Sequence, residues 1–516
     1  MSGIKGKPTI TRTAPKILIV TPEVTYLPDR MGAISECLTA KAGGLADVSA
    51  SLIGQLFRQG GDIHVALPNY RAIFGDCLTS FLKKEQTAMQ RVIPEERLHL
   101  AEDRAFVHRE HIYSGDGEDN VRFSLAFQRE VIHHVIPRVG ADLIHCNDWM
   151  TGLIPAFARQ TGIPCLFTIH NIHSMKTSMA LIEESGIDVR YFWDHLYFDR
   201  MPYGYVESRD TNTIELLTSG VFAAQFVNIV STTFLREIIM GQHDFTSLPL
   251  QQELKNKFDA GCAFGILNAP GGNFDPATDS DIARNYGPQG HTAAKRENKI
   301  ALQQTLGLRQ DEHAPVFFWP SRLDPVQKGC PLLAEIFDHV MDKYREQSLE
   351  IVFVADGAYQ TVFKDIVAIH DLHERAAVVN FNETLEHLSY AAADFVLMPS
   401  RFEPCGLPQM IGSIYGALPI VHDTGGLHDT VETLDITGNV GNGFLFQPFE
   451  SRELLEAIDQ AMTFYRMPVP VKERQIERIM RQSAETFNDT VTAQEYIHLY
   501  EKMLKRPVIP NVSMSR

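Results

Sequence analysis

The chain has 516 residues, with 47 Lys plus Arg against 64 Asp plus Glu and a formal net charge of −17. That acidity, without any Lys/Arg-rich run, excludes a protein that grips nucleic-acid phosphates on a basic stripe. No apolar run approaches the ~18–20 residues of a membrane span, and Met1–Pro15 lacks the apolar centre of a secretory signal, so a soluble, cytoplasmic protein without a membrane partner is expected. The composition, 44% hydrophobic and 22% charged, is ordinary for a globular protein, and at about 150 residues per domain the length predicts roughly two to three domains. Seven scattered cysteines (Cys37, Cys77, Cys146, Cys165, Cys262, Cys330, Cys405) contain no C-x-x-C pair, which predicts reduced thiols rather than a disulfide framework or a zinc site.

In chain order, Lys16–Thr21 reads as a buried strand, Val48, Leu52, Ile53 and Leu56 share a helical face, and Asp62–Leu67 reads as the next strand. Further strands are predicted at Phe123–Phe127, Leu143–Cys146, Cys165–Ile169 and Val227–Val230, with helical stretches such as Gly152–Arg159 between several of them. A second series follows at Val316–Trp319, Glu350–Val354, Ala377–Asn380, Phe395–Met398 and Leu418–Val421. The fold class expected is therefore α/β, with two parallel sheets built from βαβ units in tandem. The Gly-, Pro- and Asn-rich loop Asn268–Asn273 marks the boundary. From Ser451 the sequence turns helical, with Leu454, Leu455, Ile458 and Met462 at helical spacing. The acidic Asp116–Asp119 stretch reads as a solvated turn, since the spacing of a calcium loop is absent.

Ligands of doubly wound sheets bind at the carboxyl ends of strands, and pockets often lie between domains. The first strand leads into Lys41-Ala-Gly-Gly-Leu-Ala-Asp-Val48, where Gly43 and Gly44 precede an amphipathic helix. Glycines there let a backbone approach an anion, the helix start offers free N–H groups and Lys41 adds a point charge; the alternative is a tight strand-to-helix turn with an exposed lysine. In the second half Arg322 and Lys328 follow a strand and could clamp a diphosphate. Pro399–Leu407 follows another, with the N–H groups of Cys405, Gly406 and Leu407 placed for phosphate oxygens and Glu403 for hydroxyls; the alternative is a capped helix start. Thr424-Gly425-Gly426 supplies a further turn. Neither G-x-G-x-x-G nor G-x-x-x-x-G-K-[ST] accompanies these turns. Together they suggest a nucleotide diphosphate held in a cleft between two domains.

K-A-G-G-L-A-D-V, H-C-N-D-W, F-T-I-H-N, G-I-L-N, S-R-L with Q-K-G, P-S-R-F-E-P-C-G-L and T-G-G-L-H-D-T-V occur in the order found in bacterial and plant-type glycogen (starch) synthases, which the chain resembles from about Lys16 to Phe446. The resemblance implies glycosyltransferase family 5 and a GT-B fold: two Rossmann-like domains facing each other across a deep cleft, with the C-terminal helix crossing back to the first. The implied domains are 1–268 (acceptor side), 269–480 (nucleotide-sugar donor) and 481–516 (the returning helix). It implies a retaining hexosyltransferase that moves glucose from ADP-glucose, or UDP-glucose, to the 4-hydroxyl at the non-reducing end of an α-1,4-glucan such as glycogen, with no cofactor and no metal.

By motif, the resemblance assigns Lys41, Arg322 and Lys328, with the Gly43 and Gly44 amides, to the departing diphosphate, His170 to the glucosyl ring and Glu403 to the sugar hydroxyls. Asp47 and Asn268 fall at the donor site, Phe381 against the base, and the Cys405–Leu407 and Thr424–Gly426 turns at the phosphates. Asp148 and Trp149 line the glucosyl and acceptor side. Several positions depart from the family pattern. A stretch around Tyr26–Thr39 is inserted between Glu23 and Lys41, Met150 replaces a histidine, Arg322 and Lys328 are spaced wider, and Ile172–Lys176 replaces an aromatic and glycine-containing stretch. These leave two alternatives open: a GT-B transferase with another acceptor, or a glucan-binding protein with little turnover.

Overall fold

The computed structural model describes residues 14–29, 31–32, 35, 38–71, 73–74 and 97–509. Cys37, Cys77, part of the Tyr26–Thr39 insertion and the tail from Pro510 lie outside the described residues. The strands are β1 (Lys16–Val20), β2 (Asp62–Pro68), β3 (Leu98–Ala101), β4 (Leu143–Asn147), β5 (Cys165–Ile169), β6 (Lys176–Ser178), β7 (Thr213–Glu215), β8 (Phe226–Ile229) and β9 (Ala263–Gly265). They are followed by β10 (Val316–Trp319), β11 (Glu350–Val354), β12 (Ala376–Val379), β13 (Phe395–Met398), β14 (Leu418–His422) and β15 (Phe444–Phe446).

The first large sheet runs β3-β2-β1-β4-β5-β8-β9 and the second β12-β11-β10-β13-β14-β15, with β6 and β7 forming a separate antiparallel pair. In both, the strand order reverses beside the first strand, at β1–β4 and β10–β13, and both of those pairs are parallel. Each is thus a doubly wound, Rossmann-like sheet with its switch point where the sequence placed its strand-end motifs.

The continuous apolar strands are explained by burial on both faces. In the second sheet Phe317, Trp319, Ile351, Phe353, Phe395 and Leu397 fill one core, while their neighbours Val316, Phe318, Val352, Val354, Val396 and Met398 fill another. Successive side chains point to opposite faces, so a sheet covered on both sides needs an apolar residue at every position.

Two compact units result, one of Met1–Asn228, Leu248–Ala263 and Ala493–Arg516, the other of Ile229–Ser247 and Phe264–Thr492. The changeover thus falls at 263/264 rather than after 268, and the return begins at Ala493 rather than at 481. The helix Val469–Thr486 stays with the second unit because Ile479 and Met480 are buried in its cores. In the last helix (Asp489–Leu504), Tyr496 accepts a hydrogen bond from Asn228 Nδ2 at 2.9 Å, and the Tyr500 hydroxyl lies 2.7 Å from His145 Nδ1.

One strand expectation is overturned. Phe123–Phe127 lies in the helix Gly117–Glu130, whose N-terminus is capped by Asp116 accepting from Glu118 N, and whose first turn carries Glu118 and Asp119. The alternating Phe123, Leu125 and Phe127 imitate a strand, but Val121, Ser124 and Gln128 are buried too, so the segment is enclosed over much of its circumference and its period is masked. The acidic stretch read as a solvated turn is this helix's start. β3, β9, β15 and the β6–β7 pair, each only three or four residues long, carry too little pattern to be predicted.

Candidate active site

In the first unit, the chain leaves β1, makes its excursion and returns through an antiparallel bridge of Val24 with Ala40. The excursion is anchored by Leu27, Met31 and Leu38, all buried. Its closure puts Glu23 beside the turn before the helix Gly44–Arg58: Glu23 Oε2 accepts from Ala42 N at 2.7 Å and Gly43 N at 3.0 Å, and Oε1 accepts from the Tyr113 hydroxyl at 3.1 Å. Burial raises the Glu23 pKa, and these hydrogen bonds pull against the rise. Lys41 Nζ lies 2.9 Å from Asp47 Oδ2, and Asp47 Oδ1 accepts from Thr25 Oγ1 at 2.5 Å. Gly43 and Gly44 are exposed, and a Cβ on either would find no atom within 4 Å. Packing within the protein therefore gives no reason for glycine at either position, which favours a surface kept bare for a ligand over a merely tight turn.

At the ends of β4 and β5 stand Asp148 and His170. Asp148 has φ 57° and ψ 177°, a strained backbone for a residue with a Cβ, held by its N–H to Thr168 O at 2.9 Å. Its Oδ1 accepts from His170 N at 2.7 Å and its Oδ2 from Asn171 Nδ2 at 3.3 Å. Burial pushes the Asp148 carboxyl up to about 7, with the Glu23 charge adding to the rise. Burial lowers His170 to about 3, so its ring is neutral. His170 Nε2 is 3.0 Å from Asn147 Oδ1, while Asn147 Nδ2 donates to Val20 O at 3.1 Å. Nε2 therefore carries the proton and Nδ1 is left as an acceptor. Trp149 is buried, edge-on to His173 with centroids 6.1 Å apart, and Met150 is buried with its carbonyl accepting from Ser124 Oγ.

In the second unit, Lys328 Nζ meets Glu403 Oε2 at 2.6 Å, and Ser400 Oγ donates to the same oxygen at 3.1 Å. Arg322 is exposed, and its guanidinium donates to no described residue. The wider Arg322–Lys328 spacing is taken up by a turn on Asp324, whose Oδ1 accepts from Val326 N and Gln327 N at 2.8 Å each, with Gln327 O receiving Arg401 N at 2.8 Å. The N–H groups of Cys405, Gly406 and Leu407 reach no acceptor among the described residues and stand before the helix Pro408–Tyr415. Burial pushes the Cys405 thiol up to about 12, which argues against a nucleophile. Asn268 is buried, with its Oδ1 lacking a partner among the described residues. Phe381 lies just past β12, exposed by 46%.

The Thr424–Gly426 turn is placed differently from the expectation that it receives phosphate. Glu237 accepts from Thr424 Oγ1 at 3.2 Å and Gly425 N at 2.9 Å, and Gly426 N donates to Glu403 O at 2.9 Å. Thr424 Oγ1 and the Gly425 and Gly426 amides are thus already engaged within the protein. Glu237, Ser400, Asn147 and Tyr113 are the residues that sequence reasoning missed: each acts through a partner brought near by folding, and only Asn147 at the end of β4 and Ser400 just after β13 sit in strand-end motifs, which was the available signal. Among the described residues the groups able to converge on a metal are Asp279, Asp281 and His387, and Asp279 already accepts from Tyr415 and pairs with His387.

Two Rossmann-like units, with charged side chains and free amides at strand carboxyl ends, are the architecture of the GT-B glycosyltransferases. The fold is shared with the catalytic domain of starch synthase IV from Arabidopsis thaliana bound to ADP and acarbose (TM-score 0.76, 24% identity, covering 96% of this chain and 100% of that one). It is also shared with sucrose-phosphate synthase from Thermosynechococcus elongatus (TM-score 0.58, 17% identity, 95% and 99% covered). Residues 16–252 match the starch synthase catalytic domain and 307–478 match glycosyl transferases group 1. The glycogen synthase of Moorella thermoacetica is 34% identical over 95% of this chain and 97% of its own, and that of Geobacillus stearothermophilus 32% identical over 92% and 97%. The chain belongs to the glycogen synthase family and is a glycosyltransferase. No helix among the described residues is long and apolar enough to cross a membrane.

Proposed function

We propose that this enzyme is a glycogen (starch) synthase that transfers glucose, with retention of configuration, from ADP-glucose to the non-reducing 4-hydroxyl of an α-1,4-glucan, with UDP-glucose as the alternative donor. The observation that carries the reading is the set of unengaged donors after two neighbouring strands of the second sheet: the Cys405, Gly406 and Leu407 amides after β13 and the Arg322 guanidinium after β10. A diphosphate is the ligand whose chemistry matches amides and a guanidinium together. Arg322 and Lys328 would neutralise it as it departs, and the family motif gives Lys41 the same charge-neutralising role. Fixed charge of this kind favours the transition state, because the leaving group gains charge as the bond to the sugar breaks.

In this scheme Glu403, buried and held by Lys328 and Ser400, accepts hydrogen bonds from glucosyl hydroxyls. The carboxamide of Asn268 offers a further acceptor beside Cys405, and Phe381 presents a face for the base. His170, neutral with Nδ1 as acceptor, orients a sugar hydroxyl, and Asp148 fixes its backbone. The bond from the anomeric carbon to the phosphate oxygen breaks, the bond to the acceptor oxygen forms on the same face, and the acceptor's proton leaves with the phosphate. That route requires neither a metal nor a protein base. The test is release of ADP or UDP from purified protein given ADP-glucose or UDP-glucose, with and without glycogen, in chelator, alongside Lys41→Ala. Glycogen-dependent release from one donor, lost in the variant, is expected. Silence of folded protein with both donors overturns the reading, and release that depends on a different sugar acceptor redirects it to Met150 and the insertion before Lys41.

A further inference from the structure

We infer that Glu237 is a positioning residue for the donor turn, acting through Thr424–Gly426 on Glu403 and Cys405. The inference rests on the proposed donor role of that turn. Two helices of the second unit exchange carboxylates at their starts. Asp429, from the helix Gly425–Thr430, accepts from Ser231 Oγ at 2.7 Å, Thr233 N at 3.0 Å and Thr233 Oγ1 at 2.5 Å, at the start of the helix Thr232–Ile239. Glu237, from that second helix, returns the contact by accepting from Thr424 Oγ1 and Gly425 N at the start of the first.

Glu237 is buried and sits at the junction of three donors, the third being His243 Nε2 at 3.0 Å. His243 is in turn enclosed by Phe234, Phe245 and Phe402, with centroids 5.3, 5.1 and 6.0 Å away. A carboxylate so surrounded has little freedom to move. Because Glu237 fills the slot at the Gly425 amide, the turn it caps is not open to phosphate. The turn instead backs the residues that remain open: Gly426 N donates to Glu403 O, and Gly425 and Gly426 lie so close to Glu403 and Cys405 that a Cβ on either would come within 2.1 Å of a carbonyl oxygen. A shift of Thr424–Gly426 is therefore passed to Glu403 and to the peptide between Cys405 and Gly406.

The experiment compares wild type with Glu237→Gln, which keeps an acceptor for Thr424 and Gly425, and Glu237→Ala, which does not. It reads kcat and KM for whichever donor the wild type uses, affinity for ADP and UDP, Tm, and hydrogen exchange at the Gly426 amide. For Glu237→Ala, kcat/KM is expected to fall on the order of 10- to 100-fold, the scale at which small displacements of reacting groups are felt. Exchange at Gly426, which Glu237 does not touch, is expected to accelerate, and Glu237→Gln to recover most of both. A lower Tm with unchanged kcat, KM and Gly426 exchange assigns Glu237 a merely structural role and overturns the inference. If wild type turns over neither donor, the proposed function fails while Gly426 exchange still decides this point. If Glu237→Ala does not fold, Thr424→Val, which removes one donor and leaves the carboxylate, carries the same comparison.

Discussion

The two glycine pairs that end strands in this protein are alike in sequence and opposite in situation. Gly43–Gly44 in the first unit face open space, whereas Gly425–Gly426 in the second are pressed against the carbonyls of Glu403 and Cys405. The first turn is held from one side, by Glu23 accepting from Ala42 and Gly43; the second is held on both, by Glu237 and by Glu403 O. A glycine can thus keep a surface bare for a ligand or allow two backbones to touch, and only the neighbours distinguish the cases.

The largest effect expected lies in the crowded region. Lys328→Ala removes the partner of a carboxylate buried with it, which costs about 3–5 kcal/mol, read as a drop in Tm, and the double variant Lys328→Met with Glu403→Gln should recover much of it. Gly426→Ala follows, at about 1–3 kcal/mol or more, because its Cβ would collide with the Cys405 carbonyl and neither backbone is free to yield. An unchanged Tm for Gly426→Ala would show that the second turn is as open as the first.

Third is a pH effect confined to the first unit. Burial raises the Asp148 carboxyl from the ordinary 3.8 to about 7, so the native state binds that proton more tightly than the unfolded chain does. The stabilisation is complete below the unfolded value and is lost as pH rises through the folded one. Asp148→Asn keeps an acceptor for His170 N and removes the titration, so its stability, read from Tm, should gain on wild type by roughly 2–3 kcal/mol between about pH 5 and pH 8. A constant difference across that range would place the Asp148 titration elsewhere. The smallest effect on stability is expected for Gly43→Ala, within about 1 kcal/mol, while donor-dependent turnover falls because the added methyl stands where the ligand would. Loss of stability without loss of turnover would move Gly43 into the crowded class.

Much of this was legible beforehand because it is local. The βαβ alternation, the strand-end positions of Lys41, Asp148, His170, Arg322 and Glu403, and the loop near 268 follow from apolar period, turn residues and chain order. Phe123–Phe127 was misread because a helix buried over much of its surface loses the period that identifies it. The resemblance assigns the Thr424–Gly426 turn to phosphate, and the sequence displays its glycines and hydroxyl but not the carboxylate of Glu237, nearly two hundred positions earlier, that takes up Thr424 Oγ1 and the Gly425 amide.

By itself the sequence determined the class of fold, the family and the charged set at the strand ends, because covalent order places a residue after a strand whatever else the chain does. The tertiary structure alone decided which amides are free and which are filled, which glycines touch backbone, and that Asp148 and His170 lie far from their ordinary pKa values. It also decided that the insertion before Lys41 still returns Glu23 to its turn, through the Val24–Ala40 bridge. Those properties depend on desolvation and on contacts between residues distant along the chain, and neither is a function of local spacing.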